Sequence, residues 1–407
     1  MIARHQKYLL TVCLLTGFIA FLSQCSHRLE AVNDPRGNSY AGAASCRQCH
    51  QAIYDSFINT AHFNATLPAT KENIHGDFKT GNNSFVFNTA QKILLEKRDS
   101  GWFQVLYENG VERKAHRFDV LFGREHAQTA LYWKDGQAYE LPLSHYNAVN
   151  GWATSPGFSN TQINFNRFIG TDCFECHSSN ISKTLTATTK GITETMQKET
   201  LIYGIDCERC HGPALDHVNF HLDNPGERTA KYAKLGADFT RRQQLDACAV
   251  CHSGNDKMKL ESRFKFRMGD TLANFFMDRL GAPPAAGFDV HGNQYSLLSA
   301  SKCFLNSSVM TCGTCHDPHQ DATAGLAGYS QKCMSCHNQS AKDFCPKIKA
   351  TGESIKSNCI DCHMPQQASR AISFLTAGST APSSYLLRTH KIAVYTDSLK
   401  RAHNVIK

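Results

Sequence analysis

One pentapeptide pattern, Cys-x-x-Cys-His, recurs seven times in the 407 residues and limits what this chain can fold into. The copies are Cys46-Arg47-Gln48-Cys49-His50, Cys173-Phe174-Glu175-Cys176-His177, Cys207-Glu208-Arg209-Cys210-His211 and Cys248-Ala249-Val250-Cys251-His252. Three more follow: Cys312-Gly313-Thr314-Cys315-His316, Cys333-Met334-Ser335-Cys336-His337 and Cys359-Ile360-Asp361-Cys362-His363. Two thiols three residues apart lie on one side of a helical turn, and the adjoining imidazole points the same way. That geometry lets the thiols add to the two vinyl groups of a haem while the histidine meets the iron, so the pattern reads as c-type haem attachment. A zinc site would join one Cys-x-x-Cys to a distant second pair, whereas every copy here carries its own histidine. A disulfide framework has no reason to repeat one pentapeptide. Seven covalently attached haem c groups, each with a proximal histidine, are the expectation.

The spacing of the motifs predicts the architecture. Six crowd into residues 173–363, and one stands far upstream at Cys46. With so few residues per cofactor in the crowded part, porphyrins would supply much of the buried apolar surface. The expected fold class is therefore mainly α and irregular, a multihaem cytochrome c fold built around stacked haems. Helices are predicted over Ser45 to Thr60, Thr193 to Ile202 and Asp238 to Cys248.

The long gap after the first motif reads differently. Ser84 to Phe87, Ile93 to Leu95, Trp102 to Tyr107 and Val111 to Val120 are short, partly alternating runs of β-forming residues. Asn109-Gly110 and the Asp135-Gly136 pair fit tight hairpin turns. An antiparallel β insertion over 78–143, carrying no haem, is expected between motifs 1 and 2.

The first residues form an export signal: Arg4 and Lys7 precede an uncharged apolar stretch from Tyr8 to Leu22, too short for a comfortable membrane span. Residues 1–24 are expected to be a signal peptide, and Leu22-Ser23-Gln24-Cys25 resembles a lipobox that would acylate Cys25. Gln24 departs from the small residue usual there. The polar stretch 25–39 reads as a tether, and 40–407 as one multihaem domain, in a protein exported to the periplasm or the cell surface of a bacterium.

Seven irons leave seven sixth positions. Outside the motifs the mature chain offers His27, His62, His75, His116, His126, His145, His217, His221, His291, His319, His390 and His403, so supply exceeds demand. His319 is too close to His316 to reach the far face of the same haem and should serve a neighbour. His217 stands likewise to His211, and His62 lies one helix beyond His50. His62, His217, His319 and His390 are the leading distal ligands, with His126, His116, His145 and His291 behind them. Cys303 and Cys345, left over within the C-terminal cluster of an exported chain, are candidates for a disulfide.

At this point the sequence resembles the multihaem cytochromes of the cytochrome c-554 and c-552 type, related to hydroxylamine oxidoreductases. The likeness is carried by Tyr40-Ala41-Gly42 with Ala61-His62, by Cys-His-Gly-Pro-x-x-x-His ending at His217, and by Cys-His-Asp-Pro-His ending at His319. Cys-His-Met-Pro at Cys362 to Pro365 and Arg388-Thr389-His390 complete it. The resemblance implies that these outlying histidines ligate neighbouring haems. It implies electron transfer through closely packed, mostly bis-histidine haems in a respiratory chain, between donor and acceptor proteins. The alternative is an oxidoreductase acting on a nitrogen or sulfur oxyanion at one haem with an open sixth position. The Cys-x-x-Cys-Lys site of pentahaem nitrite reductases is absent, and no catalytic residue is assigned.

The formal charge of +8 invites a nucleic-acid reading. Lys and Arg are scattered, however, and loss of residues 1–24 removes Arg4 and Lys7. With two ionised propionates each, seven haems would take the mature protein to roughly −1 when ferric and −8 when ferrous. The basic side chains are counterions to propionates, and no nucleic-acid partner is expected.

Overall fold

The computed structural model describes residues 33–395, apart from 190, 235, 255–256, 279–286, 322–324, 339 and 341–343. The predicted signal 1–24, Cys25, most of the tether, His27 and His403 lie outside the described residues. Among the described residues, no helix is long and apolar enough to cross a membrane.

Strands, not helices, predominate: 30% of the described residues are in strands and 27% in helices, which overturns the expectation of a mainly α fold. The reason lies in the gap after motif 1. Strands β1 (Thr66–Pro68), β2 (Ser84–Val86), β3 (Gln91–Arg98), β4 (Gly101–Glu108) and β5 (Val111–Arg117) are followed by β6 (Val120–Phe122), β7 (Ala127–Lys134), β8 (Gln137–Tyr146), β9 (Gly151–Thr154) and β10 (Arg167–Ile169). One sheet is β2-β3-β4-β5, and the other runs β1-β6-β7-β8-β10 with β9 also on β8; every pairing is antiparallel. The β region thus extends beyond the expected 78–143 on both sides. Both predicted turns occur, with positive φ at Asn109 and Gly110 and at Asp135 and Gly136, as a twisted hairpin demands.

The two sheets share one apolar core, in which Ile93, Leu95 and Leu106 of the first meet Leu121, Leu141 and Leu143 of the second. Gln104 crosses between them, donating to the Leu143 carbonyl at 2.7 Å and accepting from the Leu143 amide at 3.0 Å. A second core joins the larger sheet to motif 2, with Val120, Leu131 and Ala138 around Phe174. Phe174 is fully buried, so the haem-free sheets hold a haem-attachment helix in place.

Motif 2 runs on into a long ribbon, β11 (Ser178–Thr188) paired with β12 (Gly191–Tyr203). The helix predicted over Thr193 to Ile202 is therefore a strand. Its Thr and Ile residues have stiff, β-branched side chains, and an antiparallel partner outweighs their weak helical preference. The helix predicted over Asp238 to Cys248 forms as Arg241–His252, started by a reciprocal cap between Thr240 and Gln243. That over Ser45 to Thr60 is split into Ala43–Cys46 and Gln51–Phe57 around motif 1. Near the C-terminus β15 (Gln366–Phe374) pairs with β16 (Ser383–Arg388), after the two-residue pair β13 (Met258–Lys259) and β14 (Phe276–Met277). Phe374 and Tyr385 of this last hairpin pack on Tyr146.

Residues 34–39 are not a free tether. The Arg36 guanidinium is buried among the carboxylates of Asp34, Asp206 and Glu208, 2.8 to 3.3 Å away. The backbone of Ala41 and Gly42 donates to Glu208, which docks the chain entering motif 1 on motif 3.

Candidate haem attachment sites and their axial ligands

Each motif is a single helical turn, and the backbone shows why its three side chains face one way. The amide of the motif histidine donates to the carbonyl of the first cysteine in His50 (2.8 Å), His316 (2.9 Å), His337 (2.9 Å) and His363 (3.0 Å). This four-residue hydrogen bond is the α-helical one. Motif 3 is started by Asp206, whose carboxylate accepts from the Arg209 amide at 2.8 Å. All fourteen motif cysteines are free, as attachment through thioethers requires.

Four motif histidines face an outlying histidine. The ring centroids of His50 and His217 are 6.3 Å apart, those of His211 and His319 5.9 Å, His62 and His252 6.1 Å, and His316 and His390 6.1 Å. Two imidazole nitrogens each about 2.0 Å from one metal, with each ring centre about 1.1 Å behind its nitrogen, put the centroids about 6.2 Å apart. The observed distances match that value. All four leading distal candidates, His62, His217, His319 and His390, are thus brought to a motif histidine, and each faces a motif other than the one nearest to it in sequence.

An imidazole presents Nε2 to a metal when its Nδ1 is held elsewhere. His217 Nδ1 is 2.7 Å from the Lys231 carbonyl and His363 Nδ1 is 3.0 Å from that of Ala393. His252 Nδ1 lies 3.2 Å from the Gln294 amide oxygen, and His319 Nδ1 lies 3.4 Å from the Asp317 carboxylate. Burial pushes His62 and His390 down to about 4, which keeps both imidazoles neutral and able to donate a lone pair. The residues present therefore fit haem c: paired free thiols in every motif, facing imidazoles at four of them, and a second nitrogen held by an oxygen acceptor in His217, His252, His319 and His363, whereas that of His390 is buried without one.

Thiols of different motifs also meet. Cys46 and Cys207 are within hydrogen-bonding reach, as are Cys176 and Cys251, Cys248 and Cys312, and Cys333 and Cys359. The attachment points are neighbours in space although motif 1 and motif 3 are far apart in sequence.

The secondary candidates separate. His291 lies within electrostatic reach of His177 and His252, its loop held by Asp289, which accepts from the His291 amide at 2.8 Å. His116 is an aromatic packing residue, with Tyr132 at 4.0 Å and Phe165 at 5.1 Å. His145 is buried against Trp152, and the His126 ring packs on Tyr385 at 5.7 Å. Cys303 and Cys345 are not joined: both are free, Cys303 beside Cys315 and Cys336, Cys345 beside Cys362. The two thiols belong to the surroundings of different motifs. His221 had no place among the ligand candidates, yet its ring is 4.7 Å from His217 and its Nε2 is buried without a hydrogen-bond partner. The four-residue spacing from His217, one helical turn, was the signal for it.

The family model for cytochrome c554 and c-prime matches residues 126–212, the part of the chain that spans motifs 2 and 3. Comparison with curated proteins gives no match. Among solved structures, the outer cell wall cytochrome OcwA superposes with a TM-score of 0.51 at 16% identity, over 90% of this chain and 82% of that one. Identity that low speaks for a shared fold. The matched stretch, that fold, the repeated thiol pairs and the facing imidazoles together support a multihaem c-type cytochrome.

Proposed function

We propose that the chain is an exported electron-relay protein with seven haem c groups, most of them bis-histidine, working in a respiratory chain. The observation that carries this reading is the set of four facing imidazole pairs. Bound haem c supplies one-electron chemistry between Fe(III) and Fe(II). The facing imidazoles His50 and His217, His211 and His319, His62 and His252, and His316 and His390 would hold a bound iron between them, so that oxidation and reduction would require little rearrangement of ligands. His291 is the sixth ligand proposed for motif 2.

The thiol contacts support an order for the relay. Motif 1 adjoins motif 3 through Cys46 and Cys207, and motif 3 adjoins motif 4 through Cys210, Cys248 and Cys251. Motif 5 follows through Cys248 and Cys312, motif 6 through Cys315 and Cys336, and motif 7 through Cys333 and Cys359. Motif 2 joins the line at motif 4 through Cys176 and Cys251. Donor and acceptor proteins would meet opposite ends. The charged start and apolar stretch Tyr8 to Leu22, the lipobox-like run ending at Cys25 and the cell-wall location in the name of the structural relative support placement at the cell surface, with residues 1–24 as a cleaved signal and Cys25 as an acylated anchor belonging to the same proposal.

Ligand-binding spectroscopy of the purified holoprotein tests the reading. Low-spin signals inert to nitrite, cyanide and carbon monoxide are expected, with a mass exceeding the apoprotein by seven haems. A high-spin signal that shifts on adding nitrite would replace the relay by an enzyme of oxyanion reduction.

A further inference from the structure

Behind motif 3 lies a cavity of about 220 Å³ whose walls include Tyr40, Glu208, Arg209, Lys265 and Arg267. At 100° per residue along the helix Cys207–His211, Glu208 and Arg209 point away from Cys207, Cys210 and His211. The cavity is therefore on the side of the motif opposite its own haem-bearing face.

Two of its guanidinium groups lack a carboxylate. Arg209 is 92% buried, at 8% relative exposure. One of its terminal nitrogens donates to the carbonyls of Glu175 (3.3 Å) and Arg263 (2.7 Å), while Nε is buried with no hydrogen-bond partner. Arg267 donates to the carbonyls of Phe264 (2.9 Å) and Phe266 (3.2 Å) and to the Tyr40 hydroxyl. Among the described residues neither makes an ion pair.

The nearby acids are already engaged. Glu208 accepts from the amides of Ala41, Gly42 and Ala214 and from Arg36. Asp34 and Asp206 also hold Arg36, Asp270 accepts from the Arg267 backbone, and Glu261 pairs with Lys265. A buried guanidinium without a counter-charge is costly, and its fork of donors is shaped for the oxygens of a carboxylate or an oxyanion.

We propose that this cavity is an anion site, in which Arg209 and Arg267 bind the oxygens of a small oxyanion or carboxylate. Two sources share that chemistry: a free inorganic anion such as phosphate, or the propionate of a neighbouring haem.

The test uses the holoprotein and the variants Arg267→Gln, Arg209→Gln and Tyr40→Phe. Tyr40→Phe removes the same hydrogen bond as Arg267→Gln but leaves the charge, so it controls for local damage. Calorimetric titration with inorganic phosphate in a chloride buffer should show saturable 1:1 binding, weakened at least tenfold in Arg267→Gln and within about twofold of wild type in Tyr40→Phe. If a propionate fills the site, phosphate does not bind, and redox infrared difference spectra show haem carboxylate bands that move in Arg267→Gln and stay in Tyr40→Phe. Arg209→Gln must reproduce the Arg267→Gln result wherever it folds. The proposal falls if phosphate binding and carboxylate bands are the same in Arg267→Gln as in wild type, or if Tyr40→Phe loses as much as Arg267→Gln.

Discussion

His62 and His252 face each other at 6.1 Å with their ring planes 84° apart, whereas the planes of His50 and His217 differ by only 15°. The pairs His211 and His319 (15°) and His316 and His390 (29°) are also close to parallel. Parallel imidazoles donate into the same iron dπ orbital and split the pair. Perpendicular ones treat both orbitals alike and leave them nearly degenerate. Electron paramagnetic resonance of the oxidised holoprotein should therefore show a strongly anisotropic, large-gmax low-spin signal from the motif 4 site beside ordinary rhombic signals. His62→Ala should abolish the large-gmax component and produce a high-spin one. If the anisotropic signal survived that substitution unchanged, His62 would not be the ligand.

The backbone that carries His62 depends on a glycine. The Ile205 amide donates to the His62 carbonyl at 2.9 Å. Gly204, at φ +61°, is so close to the next residue that an added Cβ would lie 1.9 Å from the Phe63 carbonyl oxygen. Gly204→Ala combines a left-handed backbone cost of about 1 to 2 kcal/mol with a backbone clash. A total loss of about 2 to 4 kcal/mol is expected in denaturant unfolding, together with partial loss of the large-gmax signal. A stability within about 0.5 kcal/mol of wild type would show that the two segments separate freely.

Glu140 should make stability fall with rising pH. Burial raises its carboxyl to about 7 from 4.5, with Arg167, 3.4 Å away and largely exposed, opposing only in part. Between about pH 4.5 and 7 the folded protein holds a proton that the unfolded chain has released, so stability is lost as pH rises through that window. The full effect is about 3 kcal/mol. Glu140→Gln should flatten the dependence and leave the variant more stable than wild type at pH 8. Chemical unfolding at pH 5 and pH 8 checks this, and parallel pH profiles for the two proteins would count against it.

Arg36→Ala should release the entry to motif 1. It leaves Asp34, Asp206 and Glu208 buried around a lost cation, and breaking such a network by removing one partner costs about 3 to 5 kcal/mol. Limited proteolysis should then cut within residues 33–40 while wild type resists. Equal resistance would mean that Glu208 alone, through the Ala41 and Gly42 amides, holds the segment.

The legible parts of this protein were those whose chemistry is local. Thiol spacing and an adjacent histidine need one helical turn, so all seven Cys-x-x-Cys-His motifs could be read directly. Asn109-Gly110 and Asp135-Gly136 make their turns with their own backbone preferences. Thr193 to Ile202 carries a weak helical pattern by itself, which pairing with β11 overrides. The extent of the β region was underestimated because β1, β9 and β10 are short strands that exist through pairing within the larger sheet. The uncompensated Arg209 is defined by what surrounds it, which no spacing rule reports.

The sequence by itself therefore determined the number and kind of attachment motifs, and the supply of imidazoles, because covalent attachment depends on residues a few positions apart. Tertiary structure alone decided which imidazole faces which motif, at what ring angle, and which motifs adjoin. His62 reaches His252, and His217 reaches back to His50, only because chain segments distant in sequence are packed together by the sheets, the Arg36 cluster and the Gly204 contact. Those relationships fix which imidazoles face each other and which motifs adjoin.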